Sequence, residues 1–143
     1  MLVLVLEEDV IARRTVAKAL KGAGFEVLCA DRPTMAMELL RGVPVDVLVA
    51  NLKIQERFTL SVALAAEYYN PMVETILLTD SCGPETSEYY DLLPSLHYIL
   101  GRPAQPEKIV RFVKLAVDFK TTAPNAPLVR DLGQAQSLAG FAA

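Results

Sequence analysis

Five short apolar runs alternate with helical patterns along the first 120 residues, and this alternation restricts the possible folds more than any other feature. Runs of Val, Leu and Ile of this length are typical of strands buried on both faces of a parallel sheet. Strict alternation favours an α/β fold with helices covering both faces of that sheet. The predicted strands are Leu2 to Leu6, Phe25 to Ala30, Val45 to Asn51, Glu74 to Thr79 and Leu96 to Leu100.

The predicted helices follow the strands and begin at recognisable residues. Asp9 is placed to cap the first helix, and Pro33 and Pro106 stand at first-turn positions of two others. The stretch between Asn51 and Phe58 is expected to be irregular. The predicted helices are Val10 to Ala23, Pro33 to Arg41, Phe58 to Tyr69, Gly83 to Leu93 and Pro106 to Lys120.

Length and composition indicate a single domain of 1–120 followed by a tail of 121–143. The tail is rich in Ala, Pro, Gln and Gly and carries few charges. The net charge is -3, and nothing in the composition suggests the clustered Lys and Arg residues that bind nucleic acid. The N-terminal apolar run lacks a basic flank and is too short for a signal peptide or a membrane span. We therefore expect a cytoplasmic protein that binds neither nucleic acid nor membrane.

Polar side chains follow four of the predicted strands. Glu8 and Asp9 come after the first strand, Asn51 ends the third, Thr79 ends the fourth, and Arg102 follows the fifth. In an open parallel sheet, ligands and chemistry gather at the carboxyl ends of the strands. We expect these side chains to surround one pocket.

The ordered set LVLEED, VDVLVAN, ILLT and GRP resembles the receiver domains of two-component response regulators. The resemblance covers about Leu2 to Lys120 and implies a flavodoxin-like five-stranded parallel sheet of order 2-1-3-4-5. In that family an Asp carboxylate accepts a phosphoryl group beside a Mg²⁺ ion held by acids. A Lys pairs with the phosphoryl oxygens, and a Thr or Ser hydroxyl reports their presence.

Carried over residue by residue, the resemblance puts Glu8 and Asp9 in the Mg²⁺-binding places and Thr79 in the place of the switch hydroxyl. Arg102 stands for the Lys, which is not a neutral exchange. Asn51 stands for the phosphoacceptor Asp, and an amide oxygen is a poor nucleophile. The resemblance therefore implies a degenerate receiver, which is no enzyme, has no cofactor beyond weak or absent Mg²⁺, and binds a histidine kinase or another regulator.

Other interpretations stay open at this point. Glu8 and Asp9 can be no more than an acidic loop and a helix cap, or can pair with Lys53 or Arg102 in place of a metal. Phosphate could be accepted by another acid, such as Asp80 or Asp9. A flavodoxin-like ligand-binding domain is a third reading, although no glycine-rich phosphate loop supports it.

The last predicted helix carries two apolar stripes. Ile109, Val113, Ala116 and Val117 suit the sheet, whereas Phe112, Leu115 and Phe119 form a second stripe at helical spacing. Because an outward apolar stripe needs cover, we predict a homodimer or partner interface there. The alternative cover is the tail, through Leu128 and Leu132.

Overall fold

A parallel sheet of five strands organises the protein. The computed structural model describes residues 1–80 and 84–122, except for the side chains of residues 84, 85 and 119–122. The strands are β1 (Leu2–Leu6), β2 (Glu26–Ala30), β3 (Val47–Asn51), β4 (Lys53–Ile54), β5 (Arg57–Phe58), β6 (Glu74–Thr79) and β7 (Leu96–Gly101). The five-stranded sheet has the order β2-β1-β3-β6-β7, which confirms the predicted order 2-1-3-4-5.

Helices cover both faces of the sheet, as predicted. The helices are α1 (Val10–Gly22), α2 (Pro33–Gly42), α3 (Leu60–Tyr69), α4 (Glu88–Leu92) and α5 (Pro106–Thr122). Helix α1 packs beside α5, and α2 packs beside α3. Because strand side chains alternate between faces, Leu48 belongs to the core under α2 and α3, whereas Val49 belongs to the core under α1 and α5. Within the described ranges, no helix is long and apolar enough to cross a membrane.

The predicted helix from Gly83 to Leu93 has a different form in its described part. A 3₁₀ turn, Pro84–Ser87, precedes a helix of only five residues. Of the predicted tail, the structure describes only residues 121 and 122, which continue the backbone of α5.

The stretch after β3 is not irregular, contrary to the prediction. Strands β4 and β5 pair in antiparallel fashion, with Ile54 opposite Arg57, so that Gln55 and Glu56 form a two-residue turn. Both turn residues have positive φ, 53° and 64° respectively. Such turns match the twist of a hairpin but favour Asn-Gly, and the pair Gln-Glu gave no turn signal in the sequence.

We expect Glu56→Gly to stabilise the protein by about 1 kcal/mol, because it relieves the left-handed conformation of a residue with a β-carbon. The side chain of Glu56 is exposed, so little packing is lost. Urea denaturation of wild type and variant measures the gain. Glu56→Ala is the matched control: it removes the same charge but keeps the β-carbon, and an equal gain from it would contradict the turn assignment.

Helix α5 buries one broad apolar face that includes Phe112. Ile109, Phe112, Val113 and Ala116 follow the spacing i, i+3, i+4, i+7 and are all buried, with Phe112 2% exposed. The Phe112 ring lies 4.5 Å from the Tyr98 ring, centroid to centroid. The expectation that Phe112 lies on an outer stripe is therefore wrong. Leu115 is 43% exposed, and the side chain of Phe119 lies outside the described residues, so the homodimer stays a prediction.

His97, the single histidine, is a satisfied internal residue. Thr75 pairs with Leu96 and Ile76 with Tyr98, which leaves His97 as the extra residue of a bulge in β7. Its Nδ1 lies 3.0 Å from Oε2 of Glu74, and both side chains are buried. This pair lies near the start of β6, away from the strand ends that carry the predicted site.

Candidate functional site

The strand register brings the polar residues to one edge of the sheet. Leu6 pairs with Ala50, so the chain leaves β1 beside Asn51. Thr79 pairs with Gly101, which places Thr79 beside the start of the Arg102 loop. The Arg102 amide donates to the Thr79 carbonyl at 2.7 Å and fixes that loop. The predicted meeting of these strand ends is thus present in the fold.

Asn51 lies buried at the end of the central strand, with 2% of its surface exposed. Its Nδ2 donates to Oε2 of Glu7 at 3.4 Å, and its Oδ1 accepts from the Lys53 amide at 3.3 Å. The opposite amide orientation would set Oδ1 against a carboxylate oxygen and Nδ2 against an N–H group. Its two neighbours therefore fix which way the Asn51 amide faces.

Glu7 is the acid at the centre of this edge. Its amide donates to the Ala30 carbonyl at 3.0 Å, which continues the pairing of β1 with β2 by one residue. Only 3% of Glu7 is exposed. Besides Asn51, its Oε2 accepts from the Asp9 amide at 3.1 Å.

Arg102 supplies the positive charge that faces Glu7. Its Nη2 lies 3.0 Å from Glu7 Oε1, with 24% of the Arg102 side chain and 4% of the Glu7 side chain exposed. Its Nη1 reaches Asp80 Oδ1 at a longer 3.5 Å, and the Asp80 side chain is 78% exposed. The inner pair is the electrostatic centre of the site because it is shielded from solvent, whereas the outer contact is largely hydrated.

The two acids predicted to bind Mg²⁺, Glu8 and Asp9, are exposed, unlike Glu7. Asp9 caps α1: its Oδ1 accepts from the amides of Ile11 and Ala12 at 2.9 and 3.0 Å. The hydrogen bond from Ala12, helped by that from Ile11 and by the charges of Arg102 and Arg13, holds the pKa of Asp9 below its usual value despite some desolvation.

Sequence reasoning missed Glu7, although a signal for it was present. A side chain that caps a helix directs its oxygen at backbone amides. Since Asp9 was already assigned that role, the acid that faces the pocket had to come from earlier in Glu7-Glu8-Asp9. The structure selects Glu7.

The oxygen atoms at this edge of the sheet are not arranged to bind a divalent cation. Oε1 of Glu7 faces a guanidinium group, and Oε2 accepts from an amide NH₂ and a backbone N–H. Oδ1 of Asp9 accepts the two hydrogen bonds that cap α1. Among the side chains that the structure describes, no three His, Cys, Asp or Glu lie close enough together to hold a metal ion. Mg²⁺ requires several oxygen ligands in octahedral geometry. The Glu7 carboxylate is instead surrounded by hydrogen-bond donors.

A cleft of about 220 Å³ opens beside the Glu7 network. Thr79 and Asp80 line one side of it, and Lys53 and Phe58 of the hairpin line another. The Lys53 ammonium lies over the Phe58 ring, 5.1 Å from its centroid. Thr79 itself is buried. The hairpin, which begins two residues after Asn51, thus forms a wall of the cleft.

Comparison with known proteins connects this architecture to one fold. No protein-family model matches the chain, and no curated protein matches it. Among solved structures, a CheY-like response regulator receiver domain protein from Methanospirillum hungatei JF-1 superposes with a TM-score of 0.75 at 15% identity, covering 85% of this chain and 96% of that one.

Two further solved structures agree. Chemotaxis protein CheY4 of Vibrio cholerae gives a TM-score of 0.73 at 19% identity, covering 80% of this chain and 97% of that one. A response regulator receiver protein from Sinorhizobium medicae WSM419 gives 0.73 at 20% identity, covering 84% and 96%. The chain therefore has the flavodoxin-like fold of CheY-like response regulator receiver domains.

Proposed function

We propose that the protein is a receiver-like signalling module that works through protein–protein contacts without accepting phosphate on an Asp. The observation on which the proposal mainly rests is Asn51, which ends the central strand where the family has its phosphoacceptor. A carboxylate can attack a phosphoryl group and form an aspartyl phosphate. The neutral amide of Asn51 lacks that nucleophilic charge, and its Oδ1 accepts from the Lys53 amide.

The surroundings of Asn51 support the same proposal. The guanidinium of Arg102 faces the charge of Glu7, so the site needs no metal to relieve a cluster of carboxylates. Asp80 adds a negative charge at the cleft mouth, where it repels an incoming phosphoryl dianion. In this proposal the module acts in the cytoplasm and binds a histidine kinase or a second regulator in a conformation that phosphate does not control.

We expect no phosphorylation when the full chain is incubated with acetyl phosphate and Mg²⁺. Intact-mass spectrometry measures the result, and hydroxylamine treatment distinguishes an acyl phosphate from other adducts. A receiver domain with its Asp intact, treated in parallel, shows that the donor is active. A hydroxylamine-sensitive gain of one phosphoryl group would contradict the proposal.

Such a gain would support the remaining alternative, phosphorylation of another acid. Asp80 is the acid to test first, because it lines the cleft and is exposed to an incoming donor. Loss of the gain in Asp80→Asn, with retention in Asp9→Asn, would assign the acceptor. Loss in both variants would point to a disturbed site.

A further inference from the structure

A trough lined mainly by apolar residues, and also by Arg41 and Asp46, runs between α2 and α3, on the opposite face of the sheet from α5. Two adjoining hollows, of about 350 and 460 Å³, share Tyr69 as a wall. Met37 and Ala65 line the first hollow, and Val45 and Met72 line the second. The trough lies where strands begin, since Val45 precedes β3, and it is separate from the Asn51 site.

Helix α3 gives the trough an unusual surface. Eight of its ten residues, LSVALAAEYY, are apolar or aromatic. One of the two polar ones, Glu67, is engaged with the Ser95 amide at 2.8 Å. Tyr68 is 80% exposed and Leu64 51%, and Met72 just beyond the helix is 57% exposed. A surface helix is normally polar on its outer side, so a contiguous apolar patch of this kind indicates a binding site.

The trough is also well formed. The Asn70 side chain donates to the Val45 carbonyl at 2.8 Å, which ties the end of α3 to the segment that leads into β3. The Tyr68 and Tyr69 rings meet edge to face, with their centroids 5.2 Å apart. A ligand would therefore meet rings that already contact each other, so less side-chain entropy is lost on binding.

Helix α5 ends near the edge of the sheet where the strands begin, and the rest of the chain continues from there. Helix α5 begins near the carboxyl end of β7 and buries residues along its length from Ile109 to Ala116, so it runs back over the sheet toward the strand starts. Residues 123–143 follow from there. Only residues 123–127 connect α5 to the segment that begins at residue 128, and fully extended they reach at most about 18 Å, compared with a radius of gyration of about 14 Å for a domain of this size.

The composition of residues 123–143 complements the trough. Only Arg130 and Asp131 are charged, although a segment that stays in water is usually polar and charged. Six of its apolar residues fall on one side at helical spacing, which is the pattern of a helix that lays one face into a groove. They are Leu128, Val129, Leu132, Ala135, Leu138 and Ala139, whereas Phe141 lies off this side.

We propose that the trough between α2 and α3 is the docking site of the chain's own segment 128–142, which covers Tyr68, Tyr69 and Met72. The tail is thus proposed to dock in the trough and not on α5, where the sequence alone leaves it as an alternative cover. On α5 the described residues expose only Leu115 among the large apolar side chains, whereas the trough and its rim expose several. The proposal does not depend on whether Asn51 accepts phosphate.

The test compares two full-chain variants by amide chemical shifts. Leu132→Asp places a charge on the apolar side of the segment, and Gln134→Asp adds the same charge about 200° away around a helix. We expect Leu132→Asp to shift the amides of Ala65, Tyr68 and Tyr69 and to weaken docking more than about tenfold. Gln134→Asp should leave those signals in place. Shifts around Leu115, or none outside the segment, would overturn the proposal.

A second pair of variants tests the same contact from the trough side. Tyr68→Ser should shift the signals of residues 128–142, whereas Leu92→Ser, at a residue 58% exposed on α4, should not. Sedimentation then shows whether the trough is occupied by the chain's own segment or by a second copy of the chain. We expect neither Tyr68→Ser nor Leu132→Asp to change the oligomeric state of the wild type. A dimer that Tyr68→Ser dissociates and Leu132→Asp leaves intact would assign the trough to a second copy and overturn the proposal.

Discussion

Arg102→Ala is expected to destabilise the fold by about 2–3 kcal/mol, because it leaves the Glu7 carboxylate buried without its guanidinium. Breaking a fully buried ion pair costs about 3–5 kcal/mol. The expected value is lower here because 24% of the Arg102 side chain is exposed. In the variant, water therefore partly takes the place of the missing guanidinium. Denaturant unfolding followed by circular dichroism measures the loss.

Two further variants give the Arg102 result its meaning. Arg32→Ala breaks the exposed pair of Arg32 with Asp31, whose side chains are 61% and 43% exposed, and should cost less than about 1 kcal/mol. Glu7→Gln in the Arg102→Ala background removes the uncompensated charge and should recover part of the loss. Equal costs for the two arginine variants would show that Arg102 does not balance Glu7.

Phe112→Ala is expected to be the most destabilising of these substitutions, at about 3–5 kcal/mol. The ring is almost fully buried between α5 and the sheet, and its contact with Tyr98 adds to the loss. Thermal and denaturant unfolding measure the change, and the denaturant slope should stay constant if the native state keeps its compactness.

Leu115→Ala is the matched control on the same helix, three residues further on. Leu115 is 43% exposed, so we expect a cost below about 1 kcal/mol. Similar costs for the two variants would contradict the packing of α5. A charged substitution at Phe112 would unfold the protein, so Leu115→Glu is the appropriate probe of self-association through α5.

The sheet was predictable because its strands are continuous apolar runs. Leu2–Leu6 and Glu74–Thr79 have the predicted bounds, and alternation with helices predicted a parallel sheet, whereas the order of its strands was implied by the resemblance to receiver domains. The hairpin after β3 was not predictable, since its turn residues, Gln55 and Glu56, are not those that positive φ favours. Its formation depends on tertiary contacts such as the Thr59 hydroxyl, which donates to the Asn51 carbonyl at 2.8 Å.

The candidate site was predictable in outline and not in detail. Strand ends located Asn51, Thr79 and Arg102, because the edge of a parallel sheet is fixed by topology. Which acid faces the site depends on the residue at which α1 begins. If α1 began one residue away, a different acid of Glu7-Glu8-Asp9 would be the buried one. The burial of Phe112 depends on how wide an arc of α5 the sheet covers, which helical spacing alone does not determine.

The internal pairing of Arg102 with Glu7 has a consequence for how a cell would control such a module. A receiver that is switched by phosphate divides its molecules between two populations, and a kinase sets the ratio. Under the proposed function this chain has a single population, because its own side chains hold the pocket in one arrangement. The amount of complex it forms with a partner would then follow its concentration by mass action. Control would pass from phosphorylation to synthesis and degradation, on the slower timescale of protein turnover.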